Sequence, residues 1–242
     1  MSLRLVCMGV AMSARTINVG RRYAGPPDCA NGGYFAGLVA GRFGRPIEVT
    51  LKRPVPLDTS LSVQWFEEVA LVCNGDELLA VAEPGALEMA VPGPPTYQEA
   101  VYATRFLASG MYHPFPGCFV CGSHRTDGLR ILPGRVDGTE LVAAPWVPGA
   151  EFAGPDGAVR SEIVWASLDC PGGWAAMWDR QPRPVVLGRI AARLDRAVHP
   201  NERYVLVGWR ITDEGRKHTV GTALCDTDGA LYAVARATWI EV

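Results

Sequence analysis

Apolar and polar positions follow two rhythms along this chain. The stretch CANGGYFAGLVAGRF, residues 29–43, carries no charge before Arg42. Tyr34 and Leu38 fall on one side of a helical wheel, and Phe35, Val39 and Phe43 on the next. That spacing predicts a helix over 31–43, apolar on every side and therefore buried. Four glycines in the thirteen residues from Asn31 oppose it, each costing roughly 1 kcal/mol relative to alanine in a helix interior. Gly33, Gly37 and Gly41 make a flat stripe, expected to let a sheet approach the helix backbone and supply the offsetting burial. A second nearly uncharged run, VRSEIVWASLDCPGGWAAMW, predicts another buried helix over 160–178.

The other rhythm is strand-like. Residues 47–55 and 61–73 read as strands, with a hairpin signal at Asn74-Gly75-Asp76 and a return strand over 77–89. The N-terminal MSLRLVCMGVAMSA also reads as a strand: Gly9 interrupts its apolar run, which argues against a signal peptide. Residues 91–122 are rich in proline and glycine and read as a connector, with one short helical piece near Tyr97 to Leu107. Short strands are expected at GLRILPG and TELVAAPWVP. Longer ones follow over 184–198, 203–215 and 218–242, the last broken by a turn at Asp226 to Gly229. No parallel crossover pattern interrupts this order, so the sheet should be antiparallel.

The halves match each other. Trp65 and Trp209, Pro56 and Pro200, Asp58 and Glu202, and Val63 and Val207 are all separated by 144 positions. A buried helix lies upstream of each set. This points to a diverged internal duplication, with an N-terminal unit over 1–110 and a C-terminal unit over 111–242.

Charge narrows the class of partner. The net charge of −2 gives no electrostatic reason to bind nucleic acid or an anionic membrane. No apolar run reaches the ~18 residues of a membrane-spanning helix. Seven scattered cysteines, an odd number, fit reduced cytoplasmic thiols better than a disulfide framework. Homo-oligomer formation is left open.

Asn31-Gly32-Gly33-Tyr34 resembles the start of the central helix of hotdog-fold acyl-CoA thioesterases, where the usual letters are His-Gly-Gly followed by an aromatic or aliphatic residue. Together with Leu168-Asp169 and the repeat, the chain resembles the double-hotdog acyl-CoA thioesterase-like family. The resemblance implies an α+β fold of two tandem units, each a curved antiparallel sheet around a central helix. It also implies hydrolysis of acyl-CoA or another carrier thioester, with no cofactor beyond the coenzyme A of the substrate. In that family the carboxylate sits about two and a half turns into a helix and commonly belongs to the partner unit. Here Asp169 lies nine residues after Arg160, while Ala40 occupies the corresponding place after Asn31. One composite site follows, with donors from the first helix and the carboxylate from the second.

Thioester hydrolysis needs donors where charge develops on the carbonyl oxygen and a base or nucleophile. Asp169 is the expected catalytic carboxylate, nucleophile or base. Asn31 is at least a helix N-cap and, as a catalytic residue, is expected to orient water or the thioester carbonyl, while Gly33 is expected to offer its N–H to that carbonyl. Gly32, Tyr34 and Trp165 are the expected substrate contacts. Arg42, Arg45 and Arg53, with Lys52, could meet coenzyme A phosphates. The alternative is a non-catalytic protein of the same fold that binds an acyl or aromatic ligand or a protein partner. A hydratase is weaker, because no histidine lies near Asp169 in sequence. His113, Cys118, Cys121 and His124 form a tempting cluster, but four ligands within twelve residues are too compressed for a usual zinc site; no metal is expected there.

Overall fold

The computed structural model describes residues 15–105, 113–178 and 183–242. Five strands belong to the first half: β1 (Arg15–Ile17), β2 (Ile47–Leu51), β3 (Leu61–Phe66), β4 (Val69–Asn74) and β5 (Glu77–Pro84). Six belong to the second: β6 (Gly134–Arg135), β7 (Val142–Trp146), β8 (Val185–Leu194), β9 (Tyr204–Glu214), β10 (Lys217–Asp226) and β11 (Leu231–Glu241). They form one sheet in the order β1-β3-β4-β5-β2-β8-β11-β10-β9-β7-β6, and every pairing is antiparallel. Within each half the strand after the helix pairs with the last of the four strands, so the order reads nearly the same from either end. The junction is β2 on β8, with Glu48 opposite Ala191, Val49 opposite Ile190 and Thr50 opposite Arg189. An Arg189–Glu48 ion pair spans it.

Three α-helices occur among the described residues: α1 (Gly32–Ala40), α2 (Tyr97–Ala103) and α3 (Ser161–Met177). Alternation along β9 separates the two sheet faces. Tyr204 and Leu206 enter the main core with α1 and α3. Val205 packs with Ala100 and Ala103 of α2, and Val207 with Ala223, Cys225 and the connector residue Val91. The connector thus covers the outer face. α2 starts on a capping box in which Thr96 and Glu99 satisfy each other's backbone N–H groups.

The glycine stripe of α1 has a different partner from the one its sequence suggests. A Cβ on Gly33 would stand 2.5 Å from Asp169 Cβ, and one on Gly37 would stand 2.6 Å from Glu162 Cα. The stripe therefore packs on α3, and the two helices run antiparallel with their backbones close together. Only Gly32 meets the sheet, at Leu187 of β8. Burial between two helices, more than a sheet, offsets the glycine cost.

Three further corrections concern the strands and the thiols. Residues 61–73 are not one strand but a tight hairpin, because Glu67 takes a left-handed backbone (φ 54°) and reverses the chain at Glu67-Glu68. Residues 128–133 lie outside any strand: Arg130 is also left-handed (φ 55°), and Leu129 and Ile131 bond back to Phe119 and Val120 instead. Cys73 is disulfide-bonded, whereas Cys29, Cys118, Cys121, Cys170 and Cys225 are free. The expected N-terminal strand lies outside the described residues, as does Leu107 at the end of the expected connector helix. No helix is long and apolar enough to cross a membrane among the described residues.

Candidate active site

The site is built where α1 begins. Ala30 N–H bonds to Val55 and Asn31 N–H to Tyr23, which fixes the entry of the chain. Asn31 then caps the helix, its Oδ1 accepting from Tyr34 N–H at 2.9 Å. Tyr34 itself stacks on Tyr23 with ring centroids 3.8 Å apart, and both rings meet the edge of Phe119. Phe119 N–H bonds to Ala24 carbonyl at 2.7 Å. The proline-rich connector is thereby locked onto the N-terminal side of α1.

Asp169 sits midway along α3. The helix continues through Pro171, Gly172 and Gly173 to Met177, so Asp169 is neither a cap nor a turn residue. The two glycines admit Trp239 of β11: its indole nitrogen lies 2.9 Å from where a Gly172 Cβ would be. Asp169 is buried and its Oδ2 accepts two hydrogen bonds across the helix pair, from Asn31 Nδ2 at 2.8 Å and Gly33 N–H at 3.0 Å. Oδ1 is buried with no partner among the described residues. Burial dominates its ionisation and pushes the carboxyl up to about 7, against the pull of the Gly33 and Asn31 donors.

A cavity of about 50 Å³ opens beside this carboxylate, lined by Gly32, His113, Cys118, Trp174, Leu187 and Trp239 among others. It is mostly apolar and has room for water. Gly32 N–H, the first of the helix, finds no partner among the described residues. His113 is remote in sequence yet lines the same cavity. Its Nδ1 accepts from Phe115 N–H at 3.0 Å, which leaves the proton of the neutral ring on Nε2; that nitrogen is buried and unpartnered among the described residues.

Three thiols crowd the same wall. Cys118 and Cys121 come from the connector and Cys170 from α3, with all three sulfurs within 4.8 Å of one another. Asn31 Nδ2 also reaches Cys118 Sγ at 3.9 Å. The Cys118 thiol is held well below the usual range by hydrogen bonds from Cys121 and Cys170, helped by the backbone N–H groups of Cys121 and Val120.

The structure brings Asn31, Gly32, Gly33 and Asp169 together. Gly33 serves differently from expectation: its N–H is committed to Asp169, so the free backbone donor is Gly32. Tyr34 and Trp165 are buried core residues, outside the cavity lining. Arg42 bonds to Thr16 carbonyl, Arg45 pairs with Glu68 and Arg53 with Glu77, and none of them lines the cavity. Sequence reasoning missed Leu187, Trp239, His113 and Cys170 as neighbours of Asp169. Only the Cys-x-x-Cys and the adjacency of Cys170 to Asp169 offered a signal. At the far end of the helix pair, Gly41 approaches Ser161, and Arg160 is neutralised by Glu162 at 3.0 Å.

The sequence matches no family model and no curated protein. Solved structures do resemble it over nearly the whole chain. The tesB protein of Mycobacterium avium subspecies paratuberculosis covers 99% of this chain and 98% of its own, with a TM-score of 0.59 and 11% identity. The fold is a hotdog. A thioesterase candidate of Novosphingobium aromaticivorans agrees, covering 95% of this chain and 96% of its own at a TM-score of 0.59 and 13% identity. At such identities the hotdog likeness speaks for the backbone, and the chemistry must come from the site.

Proposed function

We propose that this hotdog protein is a thioesterase that hydrolyses acyl-CoA, or another carrier thioester, at one composite site between two tandem hotdog units. The near-palindromic strand order supports the tandem reading and the internal duplication behind it. The observation that carries the function is the Asp169 carboxylate, held by Asn31 and Gly33 across the helix pair and facing an apolar cavity.

Oδ2 is pinned by two donors, which leaves Oδ1 to take a proton from water in the cavity. That water attacks the thioester carbonyl while its proton passes to Asp169. Charge developing on the carbonyl oxygen is met by Gly32 N–H and the positive end of the α1 dipole, with His113 Nε2–H as a second donor on the same wall. Collapse of the tetrahedral intermediate expels the thiolate, which recovers the proton from Asp169. The acyl group lies along Trp174, Met177 and Trp239.

The test is hydrolysis of a panel of acyl-CoA esters by wild type and Asp169→Ala. Loss of the base should cost about 10²–10⁴-fold in rate. An unchanged rate removes this mechanism. A trapped acyl-Asp169 anhydride would replace the general base with direct attack. Aromatic walls at Trp174 and Trp239 equally suit a non-catalytic binder; tight acyl-CoA binding with no turnover would establish that reading.

A further inference from the structure

The three thiols beside the site form a metal-ligating constellation. Cys118 Sγ and Cys170 Sγ are 3.7 Å apart, and Cys121 completes a triangle with no edge above 4.8 Å. Four ligands at ~2.3 Å around tetrahedral zinc stand about 3.8 Å from each other. The two segments that meet are 49 residues or more apart in sequence, so local chain geometry does not force this closeness. The Cys-x-x-Cys turn is also shaped for it. Gly122 N–H closes the turn on Cys118 carbonyl at 2.8 Å, and a Cβ at Gly122 would come within 2.3 Å of that oxygen.

We propose that Cys118, Cys121 and Cys170 bind one zinc-class divalent ion that clamps the connector to α3 next to Asp169. Thiolates select soft or borderline ions over magnesium and calcium. His124 is exposed, and His113 presents a protonated Nε2 while its Nδ1 is engaged by Phe115; neither is a ligand in this arrangement. The fourth ligand comes from solvent. The ion ties together two segments that the hydrolytic reading uses, but the site stands on its own donor set and survives if that reading fails.

Metal-stripped full-length protein, with the Cys73 disulfide kept intact, is titrated with Co²⁺, whose d–d and thiolate charge-transfer bands report ligand type and geometry. The expected result is one Co²⁺ per chain with tetrahedral thiolate bands, displaced by Zn²⁺. Cys121→Ser should weaken binding by at least about tenfold. Cys225→Ser, on the outer sheet face, should leave it unchanged. No charge-transfer band at stoichiometric Co²⁺ in the wild type overturns the proposal, whether or not any variant folds. So do undiminished bands in Cys118→Ser/Cys121→Ser/Cys170→Ser.

Discussion

Gly37 and Trp165 meet where α1 crosses α3: a Cβ on Gly37 would stand 2.8 Å from that of Trp165. Added volume at a packed backbone crossing typically costs 1–3 kcal/mol, so Gly37→Ala should destabilise the protein by about 1–3 kcal/mol. Gly41→Ala is the contrast. Nothing lies nearer than 3.5 Å to its Cβ position and its φ is −61°. It should be neutral or stabilise by about 0.4–1 kcal/mol. Urea unfolding of the pair measures both. Equal effects would mean that the stripe does not rest on α3.

Asn31 has two jobs, capping α1 and donating to Asp169. Asn31→Ala removes both and should cost roughly 1–3 kcal/mol of stability. The rate should fall less than in Asp169→Ala, since Gly33 N–H still holds the carboxylate. Thermal unfolding and kcat/KM on one acyl-CoA check the two effects separately.

Asp169 is a buried carboxylate with one orphaned oxygen, so it is expected to weaken the fold. Asp169→Asn keeps an acceptor for Asn31 and Gly33 while removing the buried charge. It should raise Tm, by roughly 2–4 °C for each kcal/mol recovered, and abolish hydrolysis. A lower Tm would show that the charge is fully compensated.

Trp239 Nε1 is buried without a partner among the described residues, and its ring closes one side of the cavity. Trp239→Phe loses an unsatisfied N–H and some volume, opposing effects that should leave stability within about 1 kcal/mol. The enlarged pocket should shift kcat/KM toward longer acyl chains. An unchanged chain-length profile places the acyl group elsewhere.

Much of the fold was legible because its elements are written in period. The uncharged runs around Phe35 and Leu168 gave both buried helices, and alternation gave the closing strands. Glu67 and Arg130 escaped because a left-handed backbone at a residue other than glycine leaves no letter to read. The pairing of Asp169 with Asn31 was expected from the resemblance to hotdog thioesterases, in which the carboxylate of one unit meets the helix start of the other. What Gly33 does with its N–H was not, since that depends on the crossing distance of two helices. Cys170 was invisible as a neighbour of Cys118 for the same reason: proximity across 52 positions is a property of the tertiary fold. The arginines drew attention as charge, yet Arg45 pairs with Glu68 in the β3–β4 turn and Arg53 with Glu77 at the start of β5.

The β2–β8 seam has a consequence for inheritance and assembly. Each side carries one half of the proposed chemistry: Gly32 and Gly33 lie upstream of β2, and Asp169 lies upstream of β8. Two copies of the first half would present helix N-termini to Ala40, and two copies of the second would set Asp169 against Arg160-Ser161-Glu162. Neither like-with-like dimer reconstitutes the site. On the proposed composite site, a chain cleaved in the connector would regain activity only by finding its own complement, so a covalent link would enforce unequal partners where free subunits would sort at random.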